Sequence, residues 1–300
     1  AGGLSPEREV SQRSGRRVAE ALRVRGIEVE VRDVDAELLP ALAADPPSCV
    51  VPMLHGATGE DGALRDVLAA LGLPFVGSTA AACRGAFDKP VALAQLAAAG
   101  IDVPRSVALP HATFRELGAA AVMSAVVRAV GLPAVVKPTR GGSALGVAVV
   151  RDEADLPAAM VGAFAYGDTV MIEEHIPGTE VAVCVLDDGA GEGPRTLPAV
   201  EIRPDDDFYS YAARYTAGAT EFFVPARLPE PVLQAAAHAA LTAHRTLGLR
   251  DWSRTDLIAA DDGRVVVLEV NVAPGMTETS LFPQAVAAEG LDLGAVVASL

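Results

Sequence analysis

The stretch SRTDLIAADDGRVVVLEVN (253–271) reads as two strands closed by a tight turn at Asp261-Asp262-Gly263. Alternate side chains of a strand share a face, so Glu269 and Asn271 point one way and Val270 points into the core. The hairpin brings Asp256 alongside them. Two carboxylates and a carboxamide on one face are hard oxygen ligands, suited to Mg²⁺ beside phosphates. The same three residues are equally at home on a solvated polar sheet face.

Upstream lies a second hairpin. AVVKP (134–138) and VAVV (147–150) flank the glycine-rich turn RGGSALG (140–146). Lys137 interrupts an apolar strand, either as an edge residue snorkelling to water or as a phosphate-binding cation beside a turn whose N–H groups wrap anions. Neither GxxxxGK[ST] nor GxGxxG occurs, so a nucleotide site here is neither a P-loop nor a Rossmann site. MIEEHIPGTE (171–180) is a strand entering a turn, able to offer backbone groups to an adenine edge and Glu180 to ribose hydroxyls, or else an ordinary acidic strand end. Further strands are expected at 180–187 and 196–203, with an Ala-rich helix at 230–247. The insert 204–225 carries Asp205–Asp207, Tyr209, Tyr211 and Tyr215, and its length suggests a lid. PGMTETSLF (274–282) opens a helix, either holding a carboxylate on its free N–H groups and Ser280 or simply capped by Thr279 or Ser280.

The N-terminal third alternates helix and strand. A helix starts at Ser5-Pro6-Glu7 and stops at Gly26. Strands are expected at Ile27–Val31, Cys49–Leu54 and 74–76, and a helix from Gly59 to Leu71. This pattern implies a parallel sheet with helices on both sides. HGATGEDG (55–62) follows a buried strand, where α/β sheets bind ligands, so His55 is either a ligand contact or a structural histidine. Helices are expected at 88–99 and about 113–130, with a strand at Ser106–Leu109 between them.

Composition narrows the function. With 24 basic and 39 acidic residues the net charge is −15, which disfavours nucleic acid and anionic membrane as partners. Cys49, Cys83 and Cys184 are scattered among apolar residues and read as buried hydrophobes in a reducing, cytoplasmic setting. The five histidines form no zinc spacing.

The order of these pieces carries more than any one of them. GGLSPEREVS (2–11), HGATGEDG (55–62), FDK (87–89), VVKPTRGGSALG (135–146), IEEHIPGTE (172–180), EIRPDDDFYSYAARYTAGAT (201–220), SRTD (253–256) and LEVNVAPGMTETSLFP (268–283) together resemble the D-alanine–D-alanine ligase family of the ATP-grasp superfamily. The resemblance implies an α/β (α+β ATP-grasp) fold. A parallel-sheet domain (1–88) would precede a central domain (89–177) and a C-terminal domain (178–300, lid 204–225), with ATP between the antiparallel sheets of the last two. It implies that ATP phosphorylates the carboxylate of one D-alanine and that the amine of a second attacks the acyl phosphate, for peptidoglycan synthesis. ATP and Mg²⁺ (two ions, Mn²⁺ as a substitute) would be the cofactors and a homodimer the assembly.

By the same resemblance, Lys89 and Lys137 look like the ATP-phosphate lysines. Glu173, with the backbones of His175 and Ile176, matches the adenine site and Glu180 the ribose site. Asp256, Glu269 and Asn271 match the Mg²⁺ ligands, Glu269 bridging both ions. Glu7 matches the carboxylate near the first D-alanine's ammonium, hydrogen-bonded through Ser143 and Tyr215. Arg254 and the Gly275 N–H match the oxyanion site, Ser280 and Leu281 the second D-alanine, and His55 lies by the substrates. Two departures stand out. The family pattern opens on an apolar strand before the paired glycines, whereas Ala1 directly precedes Gly2, which puts the first sheet and the placing of Glu7 in question. The usual lysine before the loop tyrosine is Arg214, a planar fork in place of a point charge. The competing readings are a D-alanine–D-lactate or D-serine ligase, a glutathione-synthetase-like ligase, and a non-catalytic nucleotide-binding module.

Overall fold

The computed structural model describes residues 1–189, 193–205, 209, 213–214, 216 and 218–300. Both hairpins form, and each belongs to an antiparallel sheet. Strands β1 (Ser106–Pro110), β2 (Ala134–Pro138), β3 (Ala148–Val150) and β4 (Thr169–Glu174) make the first, in the order β1-β4-β2-β3. The second contains β5 (Gly178–Leu186), β6 (Arg195–Thr196), β7 (Val200–Pro204), β8 (Thr220–Phe223), β9 (Trp252–Ala260) and β10 (Val265–Asn271). Its order is β10-β9-β5-β7-β8, with β6 also on β5.

Strand β5 explains its own apolar run. Val181, Val183 and Val185 pack against the helices Lys89–Ala98 and Glu230–Thr246, while Ala182, Cys184 and Leu186 pack on the opposite face with Trp252 and Phe282. A central strand covered on both sides needs apolar residues at every position. The first sheet has its own core, in which Val136, Val170 and Ile172 meet Val126, Leu156 and Met160. The helix Lys89–Ala98 sits under the second sheet through Leu93 and Leu96 rather than under the first.

Several expectations are corrected. Ile27–Val31 is not a strand; Val29 packs on a core, but Ile27 and Val31 remain 42% and 45% exposed, and among the described residues no strand pairs with the segment. The expected parallel sheet reduces to one bridge between Val50 and Phe75, held by Val50 N–H to Pro74 O (2.8 Å) and Val76 N–H to Val50 O (3.0 Å). The first helix, α1 (Arg8–Val24), has no side-chain cap; the Ser5 hydroxyl donates instead to His55 O. Gly62 (φ +84°) splits the expected helix 59–71 into Ala57–Glu60 and Ala63–Ala70, and Gly118 (φ +85°) splits 113–130 into His111–Leu117 and Ala119–Val130. Cys49 is exposed, unlike Cys83 and Cys184. The insert is shorter than expected, because β8 pairs with β7 from Thr220 onward. Asp206, Asp207, Tyr211 and Tyr215 lie outside the described residues. Among the described residues no single helix is long and apolar enough to cross a membrane.

Candidate active site

Two cavities meet between the sheets. The larger, about 560 Å³, is of a size that takes a nucleotide. It is lined by Lys89, Lys137, Glu173, His175, Ile176, Glu180, Asp256 and Glu269, among others. The smaller, about 60 Å³, is lined by Glu7, His55, Ser143, Arg254, Asn271, Gly275, Ser280 and Leu281 with a few neighbours. Tyr209 and Arg214 line both, the Arg214 guanidinium lying 4.1 Å from the Tyr209 ring centroid. Every described residue expected at the site therefore lines one cavity or the other.

The β9–β10 register builds the junction. Glu269 pairs opposite Asp256 and Asn271 opposite Arg254, with a bulge between Val267 and Glu269. Directly opposed residues project to the same face, so the four side chains form a square. Asp256 and Glu269 face the larger cavity, Arg254 and Asn271 the smaller. Arg254 grips Asp256 with two bonds of 2.6 and 2.7 Å. Lys89 reaches Glu269 at 3.1 Å and donates to Gly141 O at 2.7 Å, tying its helix to the glycine-rich turn and to β10. Lys137 pairs with Glu173 at 2.6 Å, both buried. Burial opposes ionisation of Glu269, yet Lys89, then Lys137, Arg214 and Arg254, override it and hold its carboxyl well below the usual range.

The turn after β2 is strained where it meets the smaller cavity. Ser143 and Ala144 have φ of +53° and +56°, and the Ser143 hydroxyl donates to Glu7. Glu7 is thus placed in the site although the first sheet is not built. Burial raises its carboxyl, against the Ser143 hydroxyl. The Ser280 hydroxyl does not cap its helix; it accepts from Thr277 N–H (3.0 Å) and meets Thr277 Oγ1 (2.8 Å). In the larger cavity the His175 N–H is taken by Pro133 O (3.1 Å), whereas the Ile176 N–H has no partner among the described residues.

Three side chains escaped the sequence reading. Glu60 is buried and accepts from Gly56 N–H (2.8 Å); burial, then the Glu7 charge, push it up to about 8. Its signal was its place inside HGATGEDG. Tyr209 was seen only as a lid residue, yet it lines both cavities. Ser14 had no signal, since its partners lie 41 and 262 residues away.

Asp256, Glu269 and Asn271 fit a divalent cation. Their oxygens are hard and lie on one face, Glu269 is held ionised, and the Asn271 carboxamide oxygen spends one lone pair on Ala273 N–H (2.7 Å) and keeps another. Among the described residues no group of three His, Cys, Asp or Glu gathers for a metal.

Titration of the site is testable. His55 is wholly buried and pushed down to about 4, chiefly by burial. A histidine depressed in the folded state binds a proton in the unfolded state first, so its contribution is present above about pH 6.5 and is lost as pH falls through about 4. Glu60 and Glu180, raised to about 8 and 7, act oppositely between about pH 4.5 and their folded values. His244 adds a second depressed histidine. Comparison with His55→Gln isolates one group. The gap in unfolding free energy between wild type and variant is expected to shrink by about 2–3 kcal/mol from pH 7 to pH 4.5. Urea unfolding at both pH values measures it, and a constant gap means that His55 is not held neutral.

The sequence matches the family described as D-ala D-ala ligase C-terminus over residues 95–300. It is 43% identical over 290 residues to a D-alanine–D-alanine ligase of Anaeromyxobacter sp. (strain Fw109-5), covering 97% of this chain and 90% of that one. It is 39% identical to the D-alanine–D-alanine ligase of Moorella thermoacetica, covering 97% and 93%. Among solved structures, the Bacillus anthracis D-alanine–D-alanine ligase complexed with ATP superposes with a TM-score of 0.82 at 26% identity, covering 99% and 93%. The VanG D-Ala:D-Ser ligase of Enterococcus faecalis superposes at 0.81, also at 26% identity, covering 99% and 96%.

Proposed function

Because this chain belongs to the D-alanine–D-alanine ligase family, we infer that it joins two D-alanines at the expense of ATP, releasing ADP and phosphate and supplying the dipeptide for peptidoglycan synthesis. The observation that carries the residue-level reading is the square on β9 and β10, which straddles the two cavities. Nucleotide chemistry and peptide chemistry thereby share one pair of strands.

In this reading ATP occupies the larger cavity. Glu173, the His175–Ile176 backbone and Glu180 hold its nucleoside, and Lys89, Lys137 and Arg214 hold its phosphates. Mg²⁺, when bound by Asp256, Glu269 and Asn271, neutralises charge developing on the transferred phosphoryl group. Glu7, ordered by Ser143, receives the first D-alanine's ammonium. Arg254 and the Gly275 N–H stabilise the oxyanion formed when the second amine attacks. Ser280 and Leu281 border that second substrate. Tyr215, outside the described residues, keeps its role as the third partner of Glu7 and Ser143 on the strength of sequence likeness alone. The division at 177/178 is supported by the two sheets, which fall within 106–174 and 178–271, whereas that at 88/89 rests on family likeness, since helix Lys89–Ala98 packs under the second sheet. The connection between β7 and β8, within the segment 204–225 expected as the lid, serves as that lid, supported by Tyr209 and Arg214 reaching both cavities. Two bridged ions with Mn²⁺ as a substitute, a homodimer and a cytoplasmic location complete the reading and rest on family likeness.

ADP release against a panel of D- and L-amino acids and D-hydroxy acids tests this. Release that requires D-alanine and yields the dipeptide is expected. Preferential depsipeptide formation would indicate a D-lactate ligase, and release indifferent to D-alanine would refute ligation.

A further inference from the structure

The buried face of α1 is unusual for a helix packed on a core, because it presents two hydroxyls, Ser11 and Ser14, both fully buried. Serine is a poor residue for a helix interior unless its hydroxyl finds fixed partners. Both find them at His55. Ser11 Oγ accepts from the His55 N–H (3.0 Å), and Ser14 Oγ lies 3.0 Å from His55 Nε2.

The remaining bonds fix every proton in this network. His55 Nδ1 lies 3.1 Å from Ala273 O. A carbonyl only accepts, so Nδ1 carries the hydrogen, and because burial keeps the imidazole neutral, Nε2 is bare. Nε2 therefore accepts from the Ser14 hydroxyl, and Ser14 Oγ in turn accepts from the Met276 N–H (3.1 Å). The path runs Ala273 O, His55, Ser14, Met276 N–H, and it closes on a single turn. Ala273 and Met276 bracket Pro274 and Gly275. Arg17, one turn further along α1, donates to the Met276 and Thr277 carbonyls and braces the same segment. The N–H groups of Met276 and Thr277 are both spent, whereas that of Gly275, which lines the smaller cavity, has no partner among the described residues.

We propose that Ser14 and His55 are positioning residues, a two-membered strut that clamps the turn 273–276 at both ends and holds the Gly275 N–H in place for the oxyanion. This deepens the ligase reading and rests on it. His55 is then neither a proton acceptor nor a substrate ligand, since both ring nitrogens are committed to the strut. Misplacement of an oxyanion donor by about 1 Å costs rate without costing ground-state binding, which separates this role from a merely structural one.

Ser14→Ala provides the test. kcat/KM for the second D-alanine is expected to fall roughly 10- to 100-fold. A dipeptide phosphinate, whose P–O⁻ stands where the oxyanion forms, should weaken by the same factor, with the ATP dissociation constant unchanged. Combining Ser14→Ala with His55→Gln should cost little more than the larger single loss, because either change opens the strut. Ser14→Cys, with a weakly donating thiol in nearly the same space, should fall between wild type and alanine, and it decides the matter by the same measurements if Ser14→Ala does not fold. Wild-type rates in these variants overturn the proposal. So do equal losses in ATP affinity and in kcat/KM, or losses that multiply in the double variant. Wild-type protein that releases no ADP in response to D-alanine refutes the ligase reading itself, whatever the variants do.

Discussion

Glu269→Gln is expected to abolish ATP turnover while leaving the protein folded. The substitution keeps the shape of a side chain only 24% exposed and removes one charge from the centre of the square. Lys89 retains its bond to Gly141 O, so the helix and the glycine-rich turn stay joined. What disappears is the anion that Lys89 and Lys137 hold ionised and that, in the proposed reading, ligates a cation beside Asp256. Loss of a bridging carboxylate at a phosphoryl-transfer site removes several kcal/mol of charge stabilisation; about 4 kcal/mol is roughly a thousandfold in kcat. ADP release is the assay, with circular dichroism and the urea midpoint as controls for folding. Near-normal turnover at any Mg²⁺ concentration would remove Glu269 from the metal site.

Arg254→Lys should be nearly as damaging at a different step. Its guanidinium grips Asp256 through both oxygens, and the side chain is only 11% exposed. Lysine keeps the charge but loses the planar fork, so Asp256 loses its two-point restraint and, in the proposed reading, the oxyanion loses a directed donor. A drop in kcat of about 10²–10³ is expected, the scale of one lost oxyanion donor, with ATP affinity little altered. Arg254→Ala should add instability of roughly 3–5 kcal/mol, because Asp256 would remain buried and unpaired. Rates measured with saturating ATP and varied D-alanine separate the two steps. A loss confined to ATP binding would assign Arg254 to orienting Asp256 alone.

The hairpins were legible because their information is local. Alternating strands and an Asp-Asp-Gly turn need no distant partner to declare themselves, and the square on β9 and β10 follows from their register. The broken helices were not legible, since apolar spacing continues across Gly62 and Gly118 and only the backbone conformation there shows the break. The strand at 27–31 failed for the converse reason: alternation is a request for a neighbouring strand, and none among the described residues answers it. Most site residues were found through family likeness rather than chemistry. A lone buried serine has no one-dimensional signature, which is why Ser14 emerged only once its partners were in place, whereas Glu60 lay inside the HGATGEDG stretch and needed its Gly56 partner to stand out.

Three ion pairs, Lys89–Glu269, Lys137–Glu173 and Arg254–Asp256, occupy the same cleft that the proposed reading gives to a polyphosphate and its cation. The cleft is in effect an ion exchanger loaded with its own side chains. In the proposed reading a phosphate that meets Lys89 competes with Glu269 for the same ammonium, and a cation beside Glu269 offsets that competition. Either alone would leave a half-buried charge stranded, at a cost that water outside the cleft does not impose. A ledger of charge is thus kept inside an acidic molecule. Lys89, Lys137 and Arg254 are each matched by a carboxylate, so these six charges balance within the cleft itself.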